Sequence, residues 1–83
     1  MKIYYTYKAA KDLENLPLVA QKRITKKMRF YAKQKDPLKF AEHLTESREG
    51  EFRFRVGDHR VIFDVMKKQI IILVIRKRDK AYN

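Results

Sequence analysis

The dipeptide Gly57-Asp58 stands between two runs of alternating character, Phe52 to Val56 and His59 to Met66, and constrains the fold more than any other feature. A two-residue loop between antiparallel strands needs a positive φ, which glycine adopts without steric cost. With Gly57 and Asp58 as the loop, the register follows. Val56 faces His59, Arg55 faces Arg60, Phe54 faces Val61, Arg53 faces Ile62 and Phe52 faces Phe63. Facing residues share a side of the sheet. One side therefore holds Phe52, Phe54, Val56, Val61, Phe63 and Val65, the expected core, and the other collects Arg53, Arg55 and Arg60.

The remaining elements are placed around this hairpin. Lys2 to Tyr7 alternates as a strand, with Ile3, Tyr5 and Tyr7 on one side, and Lys8 to Leu16 reads as a short helix with Ala9, Leu13 and Leu16 at helical spacing. Pro17 suits the first turn of a second helix, which Asp36-Pro37 stops near Lys35. Along that helix Ala20, Ile24, Met28 and Tyr31 form one apolar stripe for packing on a sheet, while Lys22, Lys26, Arg29 and Lys33 form a basic stripe, by default a solvated face. A short helix is expected around Phe40 to Leu44. The unbroken apolar run in Ile70 to Arg76 suggests a central strand covered on both faces. The order β-α-α-β-β-β predicts an α+β fold, a twisted antiparallel four-stranded sheet with two N-terminal helices packed on one face.

Eighty-three residues leave room for one domain. With no cysteine there is neither a disulfide framework nor a Cys-based zinc site. His43 and His59 lie far apart with no further ligand motif, which argues against a metal centre. The N-terminus lacks the apolar core of a signal peptide, and the longest apolar run, Ile70 to Ile75, falls far short of a bilayer span. A cytoplasmic protein with no membrane partner is expected. Lys and Arg number 21 against 10 Asp and Glu, a net charge of +11, so an anionic target is expected.

Arg53, Arg55 and Arg60 on adjacent strands repel one another and weaken the hairpin unless an anion or a carboxylate sits among them. The register places Glu51 and Asp64 at the far end of this face, where exposed salt bridges would each be worth under about 1 kcal/mol and would leave Arg55 and Arg60 near the turn un-neutralised. Arginine offers a planar fork of donors matched to phosphate oxygens and stays charged at any working pH. The terminal segment from Arg76 through Lys77, Arg78 and Lys80 to Tyr82 adds four more cations and a ring able to stack on a nucleobase.

The stretch EFRFRVGDHRVIFDVMKKQIIILVIRKRDKAY resembles the C-terminal half of RelE-type toxins of the RelE/ParE superfamily, where a hairpin of the pattern YRLRVGDYRVIY leads to an apolar strand and a basic terminus ending in tyrosine. The resemblance extends over essentially the whole chain and implies one RelE-like toxin domain over residues 1–83. It implies the toxin of a type II toxin–antitoxin system, a metal-independent and cofactor-free endoribonuclease that cleaves mRNA in the ribosomal A site. There the ribose 2′-hydroxyl attacks the adjacent phosphate and leaves a 2′,3′-cyclic phosphate. The implied partners are a cognate antitoxin, mRNA and the ribosome with its 16S rRNA.

Carried over residue by residue, Arg53 and Arg55 match backbone-binding positions, Arg60 the arginine that stabilises the transition state, Arg78 a supporting arginine and Tyr82 the tyrosine that stacks on substrate. Arg76, Lys77 and Lys80 are expected to bind substrate. Lys77 stands where many relatives have histidine, so no proton shuttle is assigned, and His59 is expected on the core side. Two alternatives stay open on the same fold: a ParE-like inhibitor of DNA gyrase, and a catalytically inactive nucleic-acid-binding module.

Overall fold

The computed structural model describes residues 1–78. Strand β1 (Lys2–Tyr5) leads to helix α1 (Tyr7–Glu14), helix α2 (Leu18–Lys33) and a single 3₁₀ turn at Pro37–Phe40. Strands β2 (Glu42–His43), β3 (Phe52–Val56), β4 (His59–Met66) and β5 (Gln69–Lys77) follow. They form one sheet in the order β1-β5-β4-β3-β2.

The α+β class and the two helices on one face agree with the sequence expectation, but the sheet has five strands and is mixed. The fifth strand is the two-residue β2, which pairs antiparallel with β3 and replaces the helix expected around Phe40 to Leu44. Pro37 starts the 3₁₀ turn instead, and Glu42 and His43 then run extended beside Arg53 and Phe52. Strand β1 lies parallel to β5, with Ile3 opposite Ile70 and Tyr5 opposite Ile72. A parallel neighbour requires a connection through other elements; here the helices carry the chain to β2 at the opposite edge, and β3 and β4 bring it back to β5.

Tyr7 was expected to extend the first strand. Instead Thr6 ends it, because its hydroxyl accepts the Ala9 N–H at 3.1 Å and caps α1. Tyr7 enters the first helical turn, 80% exposed. Helix α1 docks through Ala9, fully buried, and through Asp12, whose carboxylate accepts the Ile75 N–H at 3.1 Å. Helix α2 presents Ile24, Met28 and Tyr31 to the sheet. Tyr31 stacks on Phe54 at 4.1 Å between ring centroids, and Phe54 stacks on Phe63 at 4.4 Å. Burying rings of this size contributes about 1.5–3 kcal/mol each, so this spine anchors the β3–β4 hairpin to α2.

The β3–β4 register is the one the two-residue turn dictates, Phe52↔Phe63 through Val56↔His59. Gly57 takes φ +59° as the first loop residue. The β4–β5 turn is also two residues long, but its residues are Lys67 and Lys68, at φ 51° and 61°. Both occupy the left-handed region that side chains normally avoid.

Candidate nucleic-acid interface

Because side chains alternate along a strand, the residues between Phe54, Val56, Val61 and Ile75 point away from the helices. Arg55 lies directly opposite Arg60, and Arg60 directly opposite Arg76. A row of three arginines therefore crosses β3, β4 and β5 on the open face. One step along, Arg53 faces Ile62, which faces Val74. Ile62 and Val74 are nevertheless buried, at 5% and 7% exposure. Ile62 is covered by the loop between β2 and β3, which folds over this end of the face. A Cβ on Gly50 would come within 2.8 Å of Ile62 Cγ2 and 3.1 Å of Leu73 Cδ1, so only glycine lets the backbone lie this close to the sheet.

That loop and β2 also deliver the carboxylates. Glu42 lies opposite Arg53 and accepts from Arg53 Nη2 at 2.5 Å and from Arg55 Nε at 2.8 Å. The hydrogen bond from Arg53 outweighs an opposing desolvation and, with the charges of Arg53 and Arg55, holds the Glu42 carboxyl below its ordinary pKa. Glu49 pairs with Arg76. Glu51 and Asp64 pair with none of these arginines among the described residues; Asp64 instead accepts the Glu51 N–H at 2.8 Å, which pins the end of the loop, and the expectation that Arg55 stays un-neutralised is corrected by its bond to Glu42.

Arg53, 16% exposed and bound to Glu42, belongs to the clamp between β2 and β3; its Nε is buried without a partner. Among the described residues, Arg60 and Arg78 form no ion pair. The Arg78 N–H donates to the Asp58 carbonyl at 2.6 Å, tying the end of β5 to the hairpin turn. Arg55, Arg60 and Arg78, with Gly57, Asp58 and His59, line a shallow depression of about 30 Å³, room for roughly one water-sized group.

Of the residues singled out in the sequence, Arg55, Arg60 and Arg78 thus come together, and Arg76 continues the row under Glu49. Lys77 lies apart from them. It stands opposite His59, which stands opposite the core residue Val56, so Lys77 lies on the helix side of the sheet. Lys80 and Tyr82 lie outside the described residues. Glu42 and Glu49 were missed in the sequence, since a two-residue strand carries no periodicity and a loop carboxylate carries no signal of where it folds.

The model of the ParE toxins of type II toxin–antitoxin systems, parDE, matches residues 3–82 of the chain. Among solved structures, the chain is similar to one in the RelBE2 toxin–antitoxin complex of Mycobacterium tuberculosis, with a TM-score of 0.77 and 23% identity over 93% of this chain and 96% of that one. It is also similar to a chain in the archaeal RelE–RelB complex of Pyrococcus horikoshii OT3, with a TM-score of 0.74 and 26% identity over 95% and 96%. No curated protein matches it. Since the family model spans the chain from β1 to the basic C-terminal segment, the chain belongs to the toxins of type II toxin–antitoxin systems, within the RelE/ParE superfamily.

Proposed function

We propose that this toxin is an mRNA-cleaving endoribonuclease acting on ribosome-bound message through the arginine face, and that residues 1–83 form one toxin domain. The observation that carries the reading is the position of Arg60. It is the middle arginine of a three-strand row whose outer members are held by Glu42 and Glu49, and it lines a depression with Arg55 and Arg78. A fold that keeps a cation at the centre of like charges, where it weakens the hairpin, has kept it for an anion.

The reaction that suits such a site is in-line attack of a ribose 2′-hydroxyl on its own 3′-phosphate. The P–O5′ bond breaks, and the products are a 2′,3′-cyclic phosphate and a 5′-hydroxyl. Arg60 and Arg78 stabilise the charge that grows on the non-bridging oxygens, and Arg55 holds the flanking phosphate. Arginines supply this charge stabilisation, and positioning supplies the rest. Arg53 acts through Glu42 by keeping β2 on the sheet. Tyr82 stacks on a base, and Lys80 and Arg76 add backbone contacts, whereas Lys77, on the helix side, takes no part. Cleavage takes place in the cytoplasm, and the partner that restrains the toxin is an antitoxin, as in the two toxin–antitoxin complexes that share its fold.

The second reading, inhibition of DNA gyrase, is favoured by one observation: the family model that matches is that of the ParE toxins. Tightly controlled expression separates the two. Wild type should truncate translating mRNA, and Arg60→Ala should lower the cleavage rate about 10²–10³-fold, the effect of removing one strong charge-stabilising donor. Gyrase-dependent DNA breaks with intact mRNA would overturn the ribonuclease reading. So would equal cleavage by wild type and Arg60→Ala.

A further inference from the structure

Helix α2 carries Lys22, Arg23, Lys26, Lys27, Arg29 and Lys33 and no acidic residue. All six are exposed, and none forms an ion pair among the described residues. Lys22 and Lys26, Arg23 and Lys27, and Arg29 and Lys33 are like-charged neighbours one turn apart, which repel. The contrast with α1 is direct, since there Lys8 pairs with Asp12 and Lys11 with Glu14.

The stripe is joined to the arginine face around the tip of the β3–β4 hairpin. A Cβ on Gly57 would come within 2.9 Å of Arg23 Nη1, so the Arg23 guanidinium rests against the turn. On the far side of that turn, Gly57 and Asp58 line the depression with Arg55, Arg60 and Arg78. The turn is one backbone thick, and cations stand on both sides of it. From Arg23 to Lys33 the helix continues for about 15 Å at 1.5 Å per residue.

We propose that a single RNA strand bound at Arg55, Arg60 and Arg78 continues over the hairpin tip onto α2, where Arg23, Lys22 and Lys26 bind its phosphates. This inference rests on the reading of the arginine face as an RNA site. Lys22, Lys26, Arg29 and Lys33 recur at i, i+4, i+7 and i+11; the helix's exposed apolar residues, Leu18 and Val19 in its first turn and Phe30 packed on Phe40, lie outside the stretch from Lys22 to Lys26. A protein partner needs buried apolar or aromatic anchors at the centre of its contact, whereas a phosphate backbone needs only cations that release its counterions. The α2 contacts carry no base preference, so they lengthen the footprint without narrowing the sequence cut.

The test uses the purified full chain and 2′-O-methyl oligonucleotides, which cannot be cleaved, of 4 and 16 nucleotides. Affinity is read by fluorescence anisotropy across a salt series. The triple variant Lys22→Gln, Arg23→Gln, Lys26→Gln should bind the 16-mer at least 10-fold more weakly at low salt. The slope of log K against log salt should flatten by about 2, or about 0.7 for each lost single-strand contact. Binding of the 4-mer should be unchanged. Glutamine preserves helix propensity and removes repulsion, so circular dichroism should report an intact fold. A 16-mer affinity and slope equal to wild type overturns the proposal. So does a variant that keeps RNA binding but loses an acidic protein partner. Arg60→Gln separates the two readings: it should weaken both oligonucleotides, and if it weakens neither, the arginine face is not the RNA site, whatever α2 does.

Discussion

Replacing Arg60 by glutamine should make the protein more stable while lowering the proposed RNA cleavage about 10²–10³-fold. Arg60 faces Arg55 on one side and Arg76 on the other. With facing side chains about 6 Å apart, two unit charges in a water-like dielectric repel by about 0.7 kcal/mol, so the two pairs cost roughly 1.4 kcal/mol. Glu42 and Glu49 neutralise much of the outer arginines' charge, leaving a gain of about 0.5 kcal/mol when Arg60 is removed. Urea unfolding followed by circular dichroism should show a higher midpoint at an unchanged slope in low salt. The gain should vanish near 1 M salt, where the Debye length falls to about 3 Å. Arg60→Lys, which keeps the charge, should show no gain. A glutamine variant less stable than wild type at low salt, or a gain that survives 1 M salt, would refute the picture of Arg60 as the uncompensated member of the row.

Two further outcomes test the fold around the site. Replacing Lys67-Lys68, both at positive φ, by Asn-Gly should stabilise the β4–β5 turn by about 1 kcal/mol, because left-handed side-chain residues cost roughly 1–2 kcal/mol and glycine returns part of the gain as chain entropy. The melting temperature should rise by about 4–8 °C for a domain this small, and an unchanged melting temperature would contradict the assigned turn. Desolvation raises the hydroxyl pKa of Tyr5, against a smaller opposing effect of Arg29, and raises that of Tyr31. A raised folded-state pKa contributes stability below the unfolded value near 10 and loses it as pH climbs through the folded value, so the fold should weaken on the alkaline side. Tyrosinate absorbance should lag the denatured chain, and the lag should disappear in a Tyr5→Phe, Tyr31→Phe double variant.

What could be read from the sequence was local. A glycine at a two-residue turn and strict alternation on either side fix the β3–β4 register, because a slip of β3 by one residue would turn Phe54 outward and Arg55 into the core. The stripe Ile24, Met28 and Tyr31 was legible for the same reason. What could not be read depends on the path of the chain between elements. The parallel pairing of β1 with β5 brings together Ile3 and Ile70, 67 positions apart, and a short strand has the same alternation whichever way its neighbour runs. Glu42 and Glu49 meet arginines 11 and 27 positions away only because a two-residue strand and the Gly50 loop fold onto the open face.

The electrostatic requirement was nevertheless visible before the partners were. Three arginines on one sheet face need anions, and the fold supplies two carboxylates within reach of its outer cations. Glu42 reaches Arg53 and Arg55 and Glu49 reaches Arg76, and among the described residues neither pairs with Arg60 or Arg78 at the turn. Self-neutralisation therefore stops short of the one place where Arg78 and the hairpin tip close around Arg60. An anion placed there would gain the attraction of Arg60 and Arg78 and would share Arg55 with Glu42, relieving a repulsion that the free protein carries. An anion placed on Arg53 would have to displace Glu42, which also holds Arg55. The placement of two glutamates thus leaves the Arg60 and Arg78 end of the face as the part where an added anion would meet the least competition.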